Sequence, residues 1–413
     1  MFDFLSTYHF IIIFSSLIII SYFFNSFSKK SGVPSVLMLI FLGIIIGFSI
    51  PFQEKFSVVL EVLGTVGLIL IVLDGSLGLK VVKKNISVII RSFFVSLITL
   101  LATSYFSSLF LNYFFNVDFT SSLLITVPLS ILSSAILLPS IDSLEVDKRE
   151  FLIYESTFSD IIGIIVFYSL LNLLENPGTN NTSLGSIFSN VVGTSLFSII
   201  ISYFLIYVFQ KLQGQAKLFL LISVLMFLYG FSEMLNFSSL IIILIFGLIL
   251  NNYNFFFKGV FFYLIDDDKK ISEIVNDFKT ITLESAFVVR TFFFILFGWS
   301  IKMIDLISFK SLFVGSIIVF VIFLVRSITL FSFSRSLSVS KITPELFLAP
   351  RGLLTILLFY QIPEHLIVSN LNFDGVFLYV IILCSIIMAW ALIKEKNILK
   401  LKEEEEFEII EKD

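Results

Sequence analysis

The residues best equipped for chemistry form one short run, Tyr154-Glu155-Ser156-Thr157-Phe158-Ser159-Asp160-Ile161-Ile162-Gly163. On a helix, with Glu155 as the origin, Ser159 lies at about 40°, Ser156 at about 100° and Asp160 at about 140°. The four polar side chains share one arc, and the opposite face is apolar. The run sits inside a long apolar stretch, where ionisable groups are expensive and mark function. A buried carboxylate ringed by hydroxyls can bind either a proton or a small hard cation. Burial favours its protonated form, and a bound cation favours its ionised form. Sodium, like other hard cations, takes oxygen ligands, and Ser156 and Ser159 set hydroxyls beside Asp160. Competition between a proton and a cation for one carboxylate is sufficient chemistry for exchange. It needs no ATP-binding loop, cofactor motif or redox centre, and the sequence carries none.

Two arginines extend the constellation. Arg326, in Val321-Ile322-Phe323-Leu324-Val325-Arg326-Ser327, has no charged neighbour in its own apolar segment. An arginine there requires an anionic partner. Glu155 is the natural one and would stay ionised in that pair, leaving Asp160 to titrate. The alternative is that Arg326 snorkels or lines a water cavity. Arg351 follows a second irregular segment, Ala349-Pro350-Arg351-Gly352, and is suited to capping unwound carbonyls. A matching irregularity lies at Pro128 and Pro139, which flank Ser130-Ile131-Leu132-Ser133-Ser134-Ala135. Unwound backbone at membrane depth is tolerated only against protein or a cavity, and such pairs build transporter sites. A plain proline kink is the alternative for either segment alone. Arg91, Glu284 and Arg290 fall in or at the edges of apolar segments, Arg290 fitting an interfacial anchor equally well.

The elements that must position these groups follow from composition. Of 413 residues, 57% are hydrophobic and 14% charged, against roughly 45–50% and 25% in soluble domains. This excludes a soluble globular enzyme, a secreted disulfide scaffold and a nucleic-acid binder. Cys384 alone cannot form an intramolecular disulfide, and His9 and His365 make a poor basis for a zinc site. At about 20 apolar residues per crossing, the chain reads as an all-α polytopic membrane protein. The spans expected are 9–27, 34–50, 57–74, 87–111, 120–141, 151–174, 187–210, 216–232, 236–257, 281–300, 311–334, 344–361 and 374–393. Twelve spans remain an alternative to thirteen. Discontinuous helices are expected in spans five and twelve, which occupy corresponding places in two three-span groups, 87–174 and 311–393. That is the pattern of an inverted repeat.

Lys and Arg between the spans set orientation. Connections after odd-numbered spans, with the tail from 394 to 402, hold nineteen, among them Lys29, Lys30, Lys83, Lys84, Lys148, Arg149, Lys211, Lys217, Lys269 and Lys270. Connections after even-numbered spans hold only Lys55, Lys302 and Lys310. The N-terminus is therefore expected outside and the C-terminus in the cytoplasm. Asp74 then marks the cytoplasmic end of the third span, Asn176–Ser183 an external loop, and 394–413 a short charged cytoplasmic tail in which Glu403–Glu406 form a solvated end.

These residues resemble the monovalent cation/proton antiporters, in particular the bacterial NhaP-like sodium/proton exchangers. Glu155-Ser156-x-x-Ser159-Asp160-x-x-Gly163 looks like that family's E-S-x-x-N-D signature. Weaker likenesses run along the chain in order: Ser31-Gly32-Val33-Pro34 with Leu42-Gly43, Leu73-Asp74-Gly75, Glu233 with Gly247-Leu248-Ile249-Leu250-Asn251, Phe292-Phe293-Phe294 to Gly298, and Arg351-Gly352. The resemblance implies that Asp160 is the ion- and proton-binding carboxylate, that Glu155 pairs with Arg326, and that the unwound fifth span lines the site. It also implies a six-helix core (about 87–174 and 311–393) that moves elevator-like against a scaffold (about 9–74 and 187–300) carrying a homodimer contact. The family's T-D-P aligns with Ser133-Ser134-Ala135, without the Asp, and Ser130 is a competing alignment. The family's Asn is Ser159. The electrogenic branch carries a second Asp there, so a lone titrating Asp160 implies electroneutral exchange of one cation for one proton in the cytoplasmic membrane. K⁺ or Li⁺ exchange by the same machinery stays open, as does a channel or a transport-inactive sensor.

Overall fold

A computed structural model describes residues 7–31, 33–50, 55–79, 86–141, 144–175, 184–211, 217–234, 239–257, 268–301, 308–333, 342–367 and 371–410. The described residues are helical without strands. In chain order the helices are α1 (Thr7–Ser31), α2 (Ser35–Ser49), α3 (Lys55–Gly78), α4 (Ile86–Phe115), α5 (Phe119–Ser130), α6 (Ser134–Leu137), α7 (Val146–Glu175), α8 (Leu184–Lys211), α9 (Lys217–Met234), α10 (Ser239–Asn251), α11 (Tyr253–Phe256), α12 (Asp268–Ser300), α13 (Phe309–Phe333), α14 (Leu353–Tyr360) and α15 (Phe373–Ile410). Helices overlap the apolar segments read from the sequence. Among the described residues, eight helical segments are long and apolar enough to cross a membrane, and four further apolar helices are shorter.

Two boundaries depart furthest from the hydropathy reading. α12 begins at Asp268 rather than near 281, and α15 continues to Ile410 instead of ending at 393. In both places Lys, Asp and Glu lower hydropathy but are compatible with helix, so the helix outruns the apolar window. Gly32, Lys83, Lys84, Lys302 and the loop 176–183 lie outside the described residues. So do the side chains of His9, Lys29, Lys30, Lys55, Pro139, Lys217, Glu233, Lys269, Lys270 and Glu403–Glu406.

Packing sorts the helices into two groups. α4 packs on α5, α7 and α13, and α13 on α15; separately, α2 and α3 pack on α12, and α10 on α3, α8 and α9. α3 and α10 also touch α7, and α3 touches α14, which joins the groups at the site. The α2–α12 crossing is close because it is built on glycine. A Cβ at Gly43 would strike Ile295 O and Trp299 N, and one at Gly298 would strike Ile40 O. Small residues give membrane helices this kind of approach.

α5 is buried along its length from Ser122 to Ser130, apart from the half-buried Leu123. Its start is fixed by Asp118, whose Oδ2 accepts from the N–H groups of Thr120 (3.0 Å) and Ser121 (3.2 Å), an N-cap. Its end follows Pro128, after which Ile131–Ser133 run without helix until α6. The twelfth span is likewise broken. A 3-10 turn at Glu345–Phe347 leads into residues 348–352, which are not helical, and helix resumes at Leu353.

Candidate ion site at the crossing of two broken spans

The two unwound segments cross and bond to each other. Ser133 donates its N–H to Pro350 O at 3.0 Å, and Arg351 reaches back with Nε to Leu129 O at 2.6 Å. Arg351 Nη1 also donates to Ala349 O at 3.2 Å. The guanidinium thus serves carbonyls freed at both breaks, groups that hydrocarbon would leave unsatisfied. Gly352 is required by space. A Cβ there would fall on Ser133 Oγ and close to Ile136. Gly352→Ala is expected to cost about 1–3 kcal/mol, as overpacking does, read by heat unfolding in detergent. Gly193→Ala on α8, where a Cβ meets nothing within 4 Å, is the neutral control. Equal melting of the two variants would mean that the crossing yields easily.

α7 passes beside this crossing and presents the polar arc to it. Glu155, Ser156, Thr157, Ser159 and Asp160 are all buried. Asp160 Oδ2 accepts a hydrogen bond from the Ser134 hydroxyl, at the first turn of α6. Its Oδ1 is buried with no hydrogen-bond partner among the described residues. A small cavity adjoins Asp160, lined by Gly75 and Ser76 of α3, Thr157 of α7, Leu244 of α10 and Leu354 of α14. The carboxylate therefore faces the seam between the two helix groups with one oxygen uncommitted.

The hydroxyls named from the sequence divide their work. Ser134 meets Asp160 directly. Ser159 Oγ accepts the Leu132 N–H at 2.9 Å, holding the unwound fifth span against α7. Ser156 donates to Ile153 O of its own helix at 3.2 Å. Ser133 lies against the other break, and Ser130 donates to Thr126 O at 2.8 Å.

Arg326 does not reach for the membrane surface. It is 2% exposed and forms a bidentate pair with Glu155, Nη1–Oε1 at 2.6 Å and Nη2–Oε2 at 3.0 Å. Its Nε and Nη2 also donate to Glu345 O at 3.1 and 2.9 Å. The pair fastens α7 to α13 and to the turn before the second break. Bidentate geometry, with further donors spent on a backbone carbonyl, is what makes a buried ion pair tenable.

Three positions were not legible as site residues. Arg290 of α12 donates Nη1 to Ala135 O of α6 at 3.0 Å, joining the two helix groups, and lies within electrostatic range of Asp74. Thr157 enters the cavity beside Asp160. Glu345 supplies the carbonyl that holds Arg326. Of the other charges at span edges, Arg91 lies over the Phe151 ring at 4.8 Å, and Glu284 is exposed.

A multi-pass helical bundle in which two broken spans cross beside a buried carboxylate is the architecture of a secondary transporter. The family model for the transmembrane sodium/hydrogen exchangers matches residues 13–394, and the chain belongs to that family. It is therefore a membrane antiporter of the sodium/proton class. Two solved structures of the sodium proton antiporter MjNhaP1 from Methanocaldococcus jannaschii share the fold. The structure at pH 8 is 21% identical, with a TM-score of 0.70 over 92% of this chain and 95% of that one. A second, from electron microscopy, is 20% identical with a TM-score of 0.65, covering 96% and 98%. No curated protein matches the sequence.

Proposed function

We propose that the chain exchanges one Na⁺ for one H⁺ at Asp160 by alternating access. The observation that carries this reading is the Asp160 carboxylate, buried at the crossing of two broken spans, with Oδ2 held by Ser134 and Oδ1 uncommitted. Such a group can lose a proton and take a hard cation in its place, with hydroxyls, freed carbonyls and water completing the oxygen shell. Ser134, Ser133, Ser156 and Ser159 are the hydroxyls the sequence offers for that shell, and Ser134 is the one bonded to Asp160. Glu155 is paired with Arg326 and holds the frame, which leaves Asp160 as the exchanging carboxylate of an electroneutral cycle.

In this reading α4–α7 and α13–α15 are the moving core, and α1–α3 with α8–α12 are the scaffold and homodimer side. Displacement of the core along the seam would expose Asp160 to one face and then the other. The protein would sit in the cytoplasmic membrane with its N-terminus outside, as the basic connections favour. The test is reconstitution in lipid vesicles with an imposed pH gradient. Added Na⁺ should collapse the gradient without generating a membrane potential. A series with K⁺ and Li⁺ in the same vesicles reads ion choice. No cation-dependent proton movement from well-folded protein would overturn the reading.

A further inference from the structure

Glu345 introduces the second break and is one of the few buried carboxylates, 9% exposed. Its backbone carbonyl takes two hydrogen bonds from Arg326. Its side chain does something else. Oε2 is buried without a hydrogen bond among the described residues and lies 4.0 Å from Lys148 Nζ at the start of α7. That separation is within ion-pair range but beyond hydrogen-bond reach. Lys148 in turn donates to Thr343 O at 2.8 Å, on the same short segment, and lies 4.0 Å from Glu145 Oε2. The charges thus alternate from the membrane interior outwards: Glu155, Arg326, Glu345, Lys148, Glu145.

α4 brings Arg91 into electrostatic range of Glu345. α15 brings Trp390, edge-on to Phe347 at 5.5 Å, with Lys394 stacked over it at 5.3 Å. A buried carboxylate is costly without a charge partner, so the turn is drawn to Lys148 at the foot of α7. The backbone of that turn is what grips Arg326, and Arg326 is what grips Glu155, five residues before Asp160.

We propose that Glu345 is a positioning residue for the exchange: its carboxylate, braced by Lys148, holds the turn whose carbonyl clamps Arg326 and so sets α7 against the second break. The inference rests on the antiport reading. It places the brace outside the ion's own ligands, so ion affinity and turnover should respond differently.

In proteoliposomes, Glu345→Gln and Lys148→Met should each lower kcat by roughly five- to tenfold, as loss of a coupled pair does. The KM for Na⁺ should stay unchanged, and Lys148→Arg should retain turnover. The double variant should be no worse than either single one. Wild-type kcat in Glu345→Gln, a raised KM, or losses that multiply in the double variant would overturn the brace. If the wild-type protein itself moves no protons with Na⁺, the antiport reading fails and heat unfolding decides the brace separately. Equal, non-additive losses of Tm in the three variants support it, and additive losses overturn it.

Discussion

Asp160→Asn is expected to abolish Na⁺-driven collapse of a pH gradient, leaving only the leak of empty vesicles. The substitution is nearly isosteric, and its amide oxygen can still accept from the Ser134 hydroxyl. What it removes is the charge that would hold a cation and the site that would carry a proton back. Both half-reactions fail together, so neither a higher Na⁺ concentration nor a steeper gradient should restore flux. Stability should not fall, because a buried carboxylate with an uncommitted oxygen is itself costly. Unchanged or raised melting with flux at background separates loss of the site from loss of the fold. Undiminished exchange would place the ion elsewhere.

Arg326→Ala should have the largest effect on folding. It leaves Glu155 as an unpaired buried charge and strips two hydrogen bonds from Glu345 O. Breaking one side of a buried pair costs roughly 3–5 kcal/mol, a large share of the stability of a typical domain. The expected result is early unfolding in detergent and a low yield of extractable protein. Pairing Arg326→Met with Glu155→Leu should recover part of the loss, since apolar groups of similar volume often replace a buried ion pair without penalty. Normal melting of Arg326→Ala would contradict a structural role for the pair.

Some of this was legible before any coordinates. Helical spacing alone placed Glu155, Ser156, Ser159 and Asp160 on one arc, because the period of a helix is fixed by its backbone. Arg326 needed an anion, and few anions share its depth. Proline and glycine marked both breaks, because they forbid or fail to favour continuous helix. The destination of each hydroxyl was not legible. A serine in a helix chooses between its own carbonyl and a distant partner, and only packing decides. Ser156 took the first course and Ser159 the second. Arg290 and Glu345 were missed for a related reason. Arg290 bonds to a carbonyl of the short helix α6 beyond the first break, and Glu345 acts through its own carbonyl in the turn before the second; sequence spacing says nothing about which carbonyls such broken spans turn outward.

The last helix carries a practical consequence. α15 is 38 residues long, about 57 Å at 1.5 Å per residue, nearly twice the roughly 30 Å of hydrocarbon. It packs on α13; the last residue shown buried along it is Leu392, and the helix continues to Ile410. It is a built-in pointer. A tilt of a few degrees at the bundle becomes a sweep of several ångströms at the tip, so a probe placed there would magnify conformational cycling that is small at the ion itself.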